Sequence, residues 1–240
     1  MLKNKVSIFL SILFCLSCKS NKEEQQNSTY TDVVSIAAMK DVMWKGELFS
    51  KIKLDTINPK SGLYGLGPKA YLRGEIVINN GKTYVSRVLT DSTMTVKEMA
   101  DAEAPFFVYA NVNDWNTIEL PLKIKTIKDL ETFIDTQTKD QKRPFAFKLD
   151  GSISKATIHI QNLPKGTKVS SPKEAHQGQT NYYLQNENVE IIGFFSTEHQ
   201  GVFTHHDSFL HMHLITKDET KMGHLDDVIF SDMTLSLPKP

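Results

Sequence analysis

Phe209-Leu-His-Met-His-Leu-Ile215 alternates with a period of two, which predicts a β-strand with His211 and His213 on one face and Leu210, Met212 and Leu214 on the other. The next segment, Lys217-Asp-Glu-Thr-Lys-Met-Gly223, is polar and ends in glycine, the composition of a hairpin connection. A chain reversal there returns His224 beside the first two histidines. Three imidazoles converging from two neighbouring strands leave a tetrahedral metal with one open position, the catalytic rather than the structural arrangement. A His-x-His pair by itself can simply decorate a solvated strand. The third histidine behind a turn favours a metal, with zinc the best match to an all-imidazole ligand set.

Outward from this segment, five of the eight histidines (His205, His206, His211, His213 and His224) fall within twenty residues. The 240-residue chain is 40% apolar, enough for one large domain or two small ones with a real core. It carries 28 acidic and 28 basic residues and no basic cluster, which argues against an electrostatic hold on nucleic acid. No Gly-x-Ser-x-Gly elbow occurs, and Gly62 to Gly67 lacks the Lys-Ser/Thr ending of a phosphate-binding loop, so a nucleophilic hydrolase and a nucleotide enzyme are disfavoured.

The amino terminus reads as a leader. Lys3 and Lys5 precede an apolar run from Val6 to Leu16, too short for a stable transmembrane helix and suited to a signal-peptide core. Leu16-Ser17-Cys18 resembles a bacterial lipoprotein processing site, although Cys15 stands where leucine is usual. Residues 1–18 are thus expected to be a signal peptide, Cys18 the lipid-bearing residue, and the polar stretch 19–30 a flexible tether. The expected product is exported and anchored to the bacterial envelope, on its periplasmic or surface face. Cleavage as an ordinary secreted protein is the alternative. Both cysteines lie in the leader, so the mature domain has no disulfide and no thiolate ligand.

Residues 31–240 read as the folded domain, with 31–140 an N-terminal part and 141–240 a C-terminal part bearing the histidines. Thr31 to Trp44 predicts a strand or a helix, Glu47 to Ile52 a short helix, and Leu72 to Ile78 a strand following the glycine-rich Gly62 to Gly67. Asn79-Asn-Gly-Lys82 predicts a hairpin returning through Thr83 to Val88, because Asn-Gly supplies the positive φ that such turns require. Phe106 to Val112 predicts a buried strand, and Leu120 to Thr138 an amphipathic helix capped by Thr126. Asp150-Gly151, between Phe145–Leu149 and Ala156–Ile160, gives a second hairpin signal. Leu163 to Thr180 reads as a loop that is mobile or covers a site, and Glu190–Phe195 and Asp227–Leu237 complete the strands. His176 and His199 are expected at the surface, and Trp44 and Trp115 in packing roles. Many short strands with few helices predict an α+β fold of mixed or antiparallel sheets.

Several of these segments, in order from Lys40 to Leu237, resemble the alpha-acetolactate decarboxylase family. Tyr64-Gly-Leu-Gly-Pro68, Leu72-Arg-Gly-Glu75 and the Asn79 to Tyr84 turn are similar to that family's glycine-rich segment, glutamate-bearing strand and hairpin. Glu103-Ala-Pro-Phe106 and Phe145-Ala-Phe-Lys-Leu-Asp-Gly151 recur in the same order, and His211-Met-His213 with Gly223-His224 matches the family's three zinc ligands in spacing. The resemblance implies a two-part fold, a homodimer, no organic cofactor and zinc held by His211, His213 and His224. It also implies conversion of 2-hydroxy-2-methyl-3-oxobutanoate (acetolactate) to acetoin and CO2 through a zinc-stabilised enediolate, with Glu75 handling a proton or orienting the zinc-bound oxygen.

Two departures qualify that expectation. Family members carry an arginine, suited to the substrate carboxylate, where this chain has His159. They also carry an active-site glutamate in a carboxy-terminal tail for which this chain, ending at Pro240, shows no counterpart. His205 or His206, in Thr204-His-His-Asp207, is a candidate replacement, with Asp207 orienting it. The alternatives are therefore an enzyme for another 2-hydroxy-3-oxo acid, or a non-catalytic envelope lipoprotein that binds a metal or small ligand.

Overall fold

The computed structural model describes residues 31–239; the expected leader with Cys18 and the tether lie outside the described residues. Two antiparallel sheets face each other. The first is six-stranded, built from β1 (Val34–Ile36), β3 (Leu63–Pro68), β4 (Glu75–Asn79), β5 (Lys82–Val88), β6 (Met94–Glu98) and β8 (Phe107–Asn111), in the spatial order β1-β8-β3-β4-β5-β6. A small ribbon, β2 (Ile52–Lys53) with β7 (Glu103–Ala104), lies beside it. The second sheet contains β9 (Trp115–Glu119), β10 (Phe145–Ile160), β11 (Thr180–Phe195), β12 (Leu210–Thr216) and β13 (Met222–Pro238). Its order is β10-β11-β12-β13-β9, and β13 also pairs with β10, so the four strands β10 to β13 close on themselves. Three short helices, α1 (Met39–Lys45), α2 (Ile127–Gln137) and α3 (Pro172–Ala175), complete an α+β fold.

Side-chain alternation decides what each face of the first sheet meets. Ile76, Ile78, Val85 and Phe107 point away from the second sheet into a small core with Leu54, Ile57 and Ala104. Val77, Tyr84 and Val108 point the other way, into the main core shared with Phe147, Ile191, Leu214 and Leu235 of the second sheet. Glu75 shares the face of Val77 and Asn79, and Asn79 donates to Glu190 of β11 at 3.0 Å. One buried carboxylate is thereby carried to the interface between sheets.

The Asn80-Gly81 hairpin forms as expected, with Asn80 at φ 48° and β4 paired to β5 on either side of it. The helix predicted over 120–138 begins at Ile127, after the expected cap. Thr126 Oγ1 accepts from the Asp129 N–H while the Asp129 carboxylate accepts from the Thr126 N–H, a reciprocal cap that contributes about 1 kcal/mol.

Three local expectations are corrected. Residues 47–51 are not helical: Gly46 at φ 66° terminates α1, and Lys51 donates to the Ala104 carbonyl, which draws the segment into the β2–β7 ribbon. So short a run cannot repay helix nucleation against that tertiary pairing. Gly62 to Gly67 is not merely a lead-in but largely the buried strand β3, where a Cβ on Gly65 would fall 2.6 Å from the Phe107 ring. Asp150-Gly151 makes no hairpin; it lies inside the continuous strand β10, with Gly151 paired to Val189 on one side and Met233 on the other. A Cβ there would lie 2.1 Å from the Asp232 carbonyl oxygen, so this glycine admits the close approach of β13 rather than a turn.

Candidate metal centre

The β12–β13 hairpin sets His213 directly opposite His224, and His211 follows two residues back on the same face of β12. The ring centroids are 5.1 Å apart for His211–His213, 5.0 Å for His211–His224 and 5.3 Å for His213–His224. One ring nitrogen from each lies within 4.8 Å of the others. All three rings are buried, and burial holds all three well below the ordinary imidazole pKa, His213 at about 3. They are therefore neutral, the form in which an imidazole ligates. The buried Nε2 of His213 has no hydrogen-bond partner. An orphaned imidazole nitrogen costs free energy unless something occupies its lone pair. This donor set fits a cation.

Glu75 arrives from the facing sheet. Its Oε1 accepts from the Gln161 N–H at 3.1 Å, and its Oε2 stands 3.8 Å from His213 Nε2, beyond hydrogen-bond reach. Burial raises its pKa from the usual 4.5 to about 7, partly offset by the nearby His159 and the Gln161 N–H.

The cross-strand row continues to a third strand, because His159 of β10 pairs with His224 of β13. The two rings lie 4.6 Å apart. The Nδ1 of His159 meets both oxygens of Asp226, at 2.7 and 2.9 Å, and its Nε2 lies 3.4 Å from the Gln161 side-chain nitrogen. The pairing register slips between Thr157 and Ile158, and Asp226 is the extra residue on β13. The bulge aims its carboxylate at His159.

Of the two loop histidines, only His205 reaches the centre: its Nε2 is 3.0 Å from His224 Nε2. The side chain of His206 is 89% exposed and stands 3.9 Å from Asp207, so the expected Asp207-oriented histidine does not form at the site. His206, in the turn at 206–207, still lines the cavity that opens onto the centre.

A cavity of about 430 Å³ opens onto these groups, lined by Glu75, His159, Gln161, His205, His211 and His224, with Met39, Met43, Trp44 and Phe106 forming an apolar wall. Trp44 is 60% exposed at this cavity, which corrects its expected packing role. Trp115 does pack, edge-on to Tyr64 at 5.1 Å. His199 is not a free surface residue, since Ser196 Oγ lies 2.7 Å from its Nδ1 and its ring stacks on Phe203. His176 is exposed as expected but also lines the cavity. The 163–180 segment is packed rather than loose, with Leu163, Val169 and Ala175 in a core with Val42, Leu72 and Phe106. Gln161 escaped the sequence reading although it sits two residues beyond His159, where strand alternation returns a side chain to the same face; Asp226 escaped it because only the bulge against β10 turns it toward His159.

Fold and site together define a two-sheet protein with a buried, neutral three-histidine centre opening into a substrate-sized cavity. The chain matches the family Alpha-acetolactate decarboxylase over residues 35–239. It is 25% identical over 220 residues to the Alpha-acetolactate decarboxylase of Bacillus subtilis (strain 168), covering 90% of this chain and 80% of that one. It is 27% identical over 183 residues to the enzyme of the same name from Lactococcus lactis subsp. cremoris, covering 74% and 72%. The crystal structure of the Bacillus subtilis enzyme superposes with a TM-score of 0.70 at 22% identity, over 88% of this chain and 86% of that one. A Staphylococcus aureus protein of unknown function, described as similar to alpha-acetolactate decarboxylase, superposes with a TM-score of 0.71 at 17% identity, over 85% and 84%. This chain belongs to the alpha-acetolactate decarboxylase family.

Proposed function

We propose that the protein is a zinc-dependent decarboxylase that converts acetolactate to acetoin and CO2. The observation that carries this reading is the convergence of neutral His211, His213 and His224 with Glu75 at the inner end of an open cavity. Those three imidazoles would hold the cation, which supplies the Lewis acidity that draws onto oxygen the electron pair left when the carboxylate carbon departs. Glu75 carries the proton that the product needs on carbon. Its Oε1 is engaged by the Gln161 N–H, so the proton resides on Oε2, the oxygen turned toward His213. His159, held by Asp226, orients the neighbouring face of the cavity.

The same His159–Asp226 pair supports a second reading, a 2-hydroxy-3-oxo acid other than acetolactate. An imidazole already engaged by a carboxylate is a poorer anchor for a substrate carboxylate than a free guanidinium fork. The leader supports an exported form held by lipid on Cys18, and the family resemblance supports a homodimer.

The zinc-loaded protein is expected to release acetoin and CO2 from acetolactate, and His213→Ala to lower the rate at least ~1000-fold. Stoichiometric zinc without turnover on acetolactate or on a panel of related 2-hydroxy-3-oxo acids would sink the catalytic reading and leave a metal-binding lipoprotein.

A further inference from the structure

Strands β12 and β13 separate at the triad. Their pairing runs from Ile215–Met222 to His213–His224 and stops there. Beyond that point Leu210, His211 and Met212 pair with β11, while Leu225 and Asp227 pair with Ile158 and Thr157 of β10. The wedge left between the two strands is a second cavity, of about 290 Å³, lined by residues 210–212 on one side and 224–226 on the other. His205, Asp207 and Ser208 of the preceding loop and Ile127 of α2 complete its wall. The rim is held in place, because Glu131 of α2 accepts from the Ser208 hydroxyl at 2.7 Å and from the Phe209 N–H at 2.8 Å.

The centre thus has two openings of opposite electrical character, for His211 and His224 line both cavities. The larger cavity has the exposed Lys40 in its wall beside Met39, Met43 and Trp44, and its carboxylate, Glu75, is buried. The wedge carries two carboxylates, Asp207 with 72% of its side chain exposed and Asp226 with 32%, and its lining holds no lysine or arginine. In its wall His211 is buried, with an Nδ1 that has no hydrogen-bond partner. A hydroxy-keto acid is an anion and a zinc-type metal a cation, so one field cannot draw in both. A cleft lined by one sign of charge concentrates the opposite sign.

We propose that the β12–β13 wedge is the port through which a divalent cation reaches the triad, drawn by Asp207 and Asp226, and that the larger cavity is kept for the anionic substrate. A metal site needs an entry path as well as ligands, and this one ends on two of the three histidines. Asp207 is a rim charge, so it sets the rate of arrival and the dependence of that rate on salt. This inference rests on the reading of the triad as a metal centre, and the test separates the two.

The full chain is stripped with a chelator and mixed rapidly with Co2+, whose visible absorption on entering a histidine site reports uptake. At low salt Asp207→Lys is expected to take up Co2+ about 10-fold more slowly than the unaltered protein, the lower end of what a charged cleft contributes to an on-rate. In about 1 M salt, where charges are screened beyond about 3 Å, the two rates are expected to converge. Lys40→Glu, which reverses the charge in the wall of the larger cavity, is expected to leave uptake within about twofold of the unaltered rate. Thermal unfolding of the metal-free variants checks that they fold, and Asp207→Asn, with about 3-fold slowing expected, replaces the lysine variant if that one does not. An unaltered rate in the Asp207 variant, or a slowing that persists in high salt, would overturn the port and leave the triad standing. So would an acceleration by Lys40→Glu as large as the slowing by Asp207→Lys, because the cation would then enter through the substrate cavity. Absence of Co2+ binding by the unaltered protein would remove both the port and the metal centre.

Discussion

The β4–β5 hairpin and the β12–β13 hairpin are alike in topology and opposite in what they bury. One encloses Ile76, Ile78 and Val85 among other apolar side chains. The other encloses His211, His213 and His224, with a nitrogen of His213 left unpartnered. Burying hydrocarbon stabilises the fold, whereas burying unpaired polar groups costs it. The first hairpin is therefore built for stability and the second for a ligand, and Glu75, at the start of β4, is where the stable one reaches into the other.

Substitutions on the two sides should act with opposite sign. Ile78→Ala is expected to lower stability by about 2–5 kcal/mol, read by denaturant unfolding of the metal-free protein, because the packed core cannot collapse into the space left. A loss under 1 kcal/mol would show that this side is not the load the fold rests on. Glu75→Gln is expected to raise metal-free stability at pH 8 by about 3 kcal/mol, the equivalent of a carboxyl pKa moved from 4.5 to about 7. The sign follows from the raised value: the protonated carboxyl stabilises the folded state below pH 4.5, and that contribution is lost as pH rises through 7. At pH 4 the variant and the parent should therefore agree, and a stabilisation independent of pH would break the assignment. The histidines act the other way, losing stability as pH falls from about 6.5 toward 3, but they are common to both proteins and cancel in the comparison. Thr126→Ala lies outside both hairpins and should cost about 1 kcal/mol through the α2 cap alone, with metal affinity unchanged.

The legible parts of this molecule were those written in local chemistry. Alternation around His211 and His213, a polar turn ending in Gly223, the Asn-Gly pair and the Thr126 cap each act within a few residues. Asp150-Gly151 misled for the complementary reason. A glycine needed for a turn and a glycine needed for the close passage of another strand look identical along the chain, and only the position of Asp232 distinguishes them. Asp226 was invisible because a bulge is a property of two strands, not one.

By itself, the sequence determined the α+β class and the set of histidines able to meet, since periodicity and spacing are local quantities, and its ordered motifs carried the resemblance to the family. Tertiary structure alone decided that Glu75 crosses from the other sheet, that His159 is claimed by Asp226, and that His205 rather than His206 faces the centre. Those outcomes depend on which surfaces come within a few ångströms of each other, and distance through space is not encoded by distance along the chain.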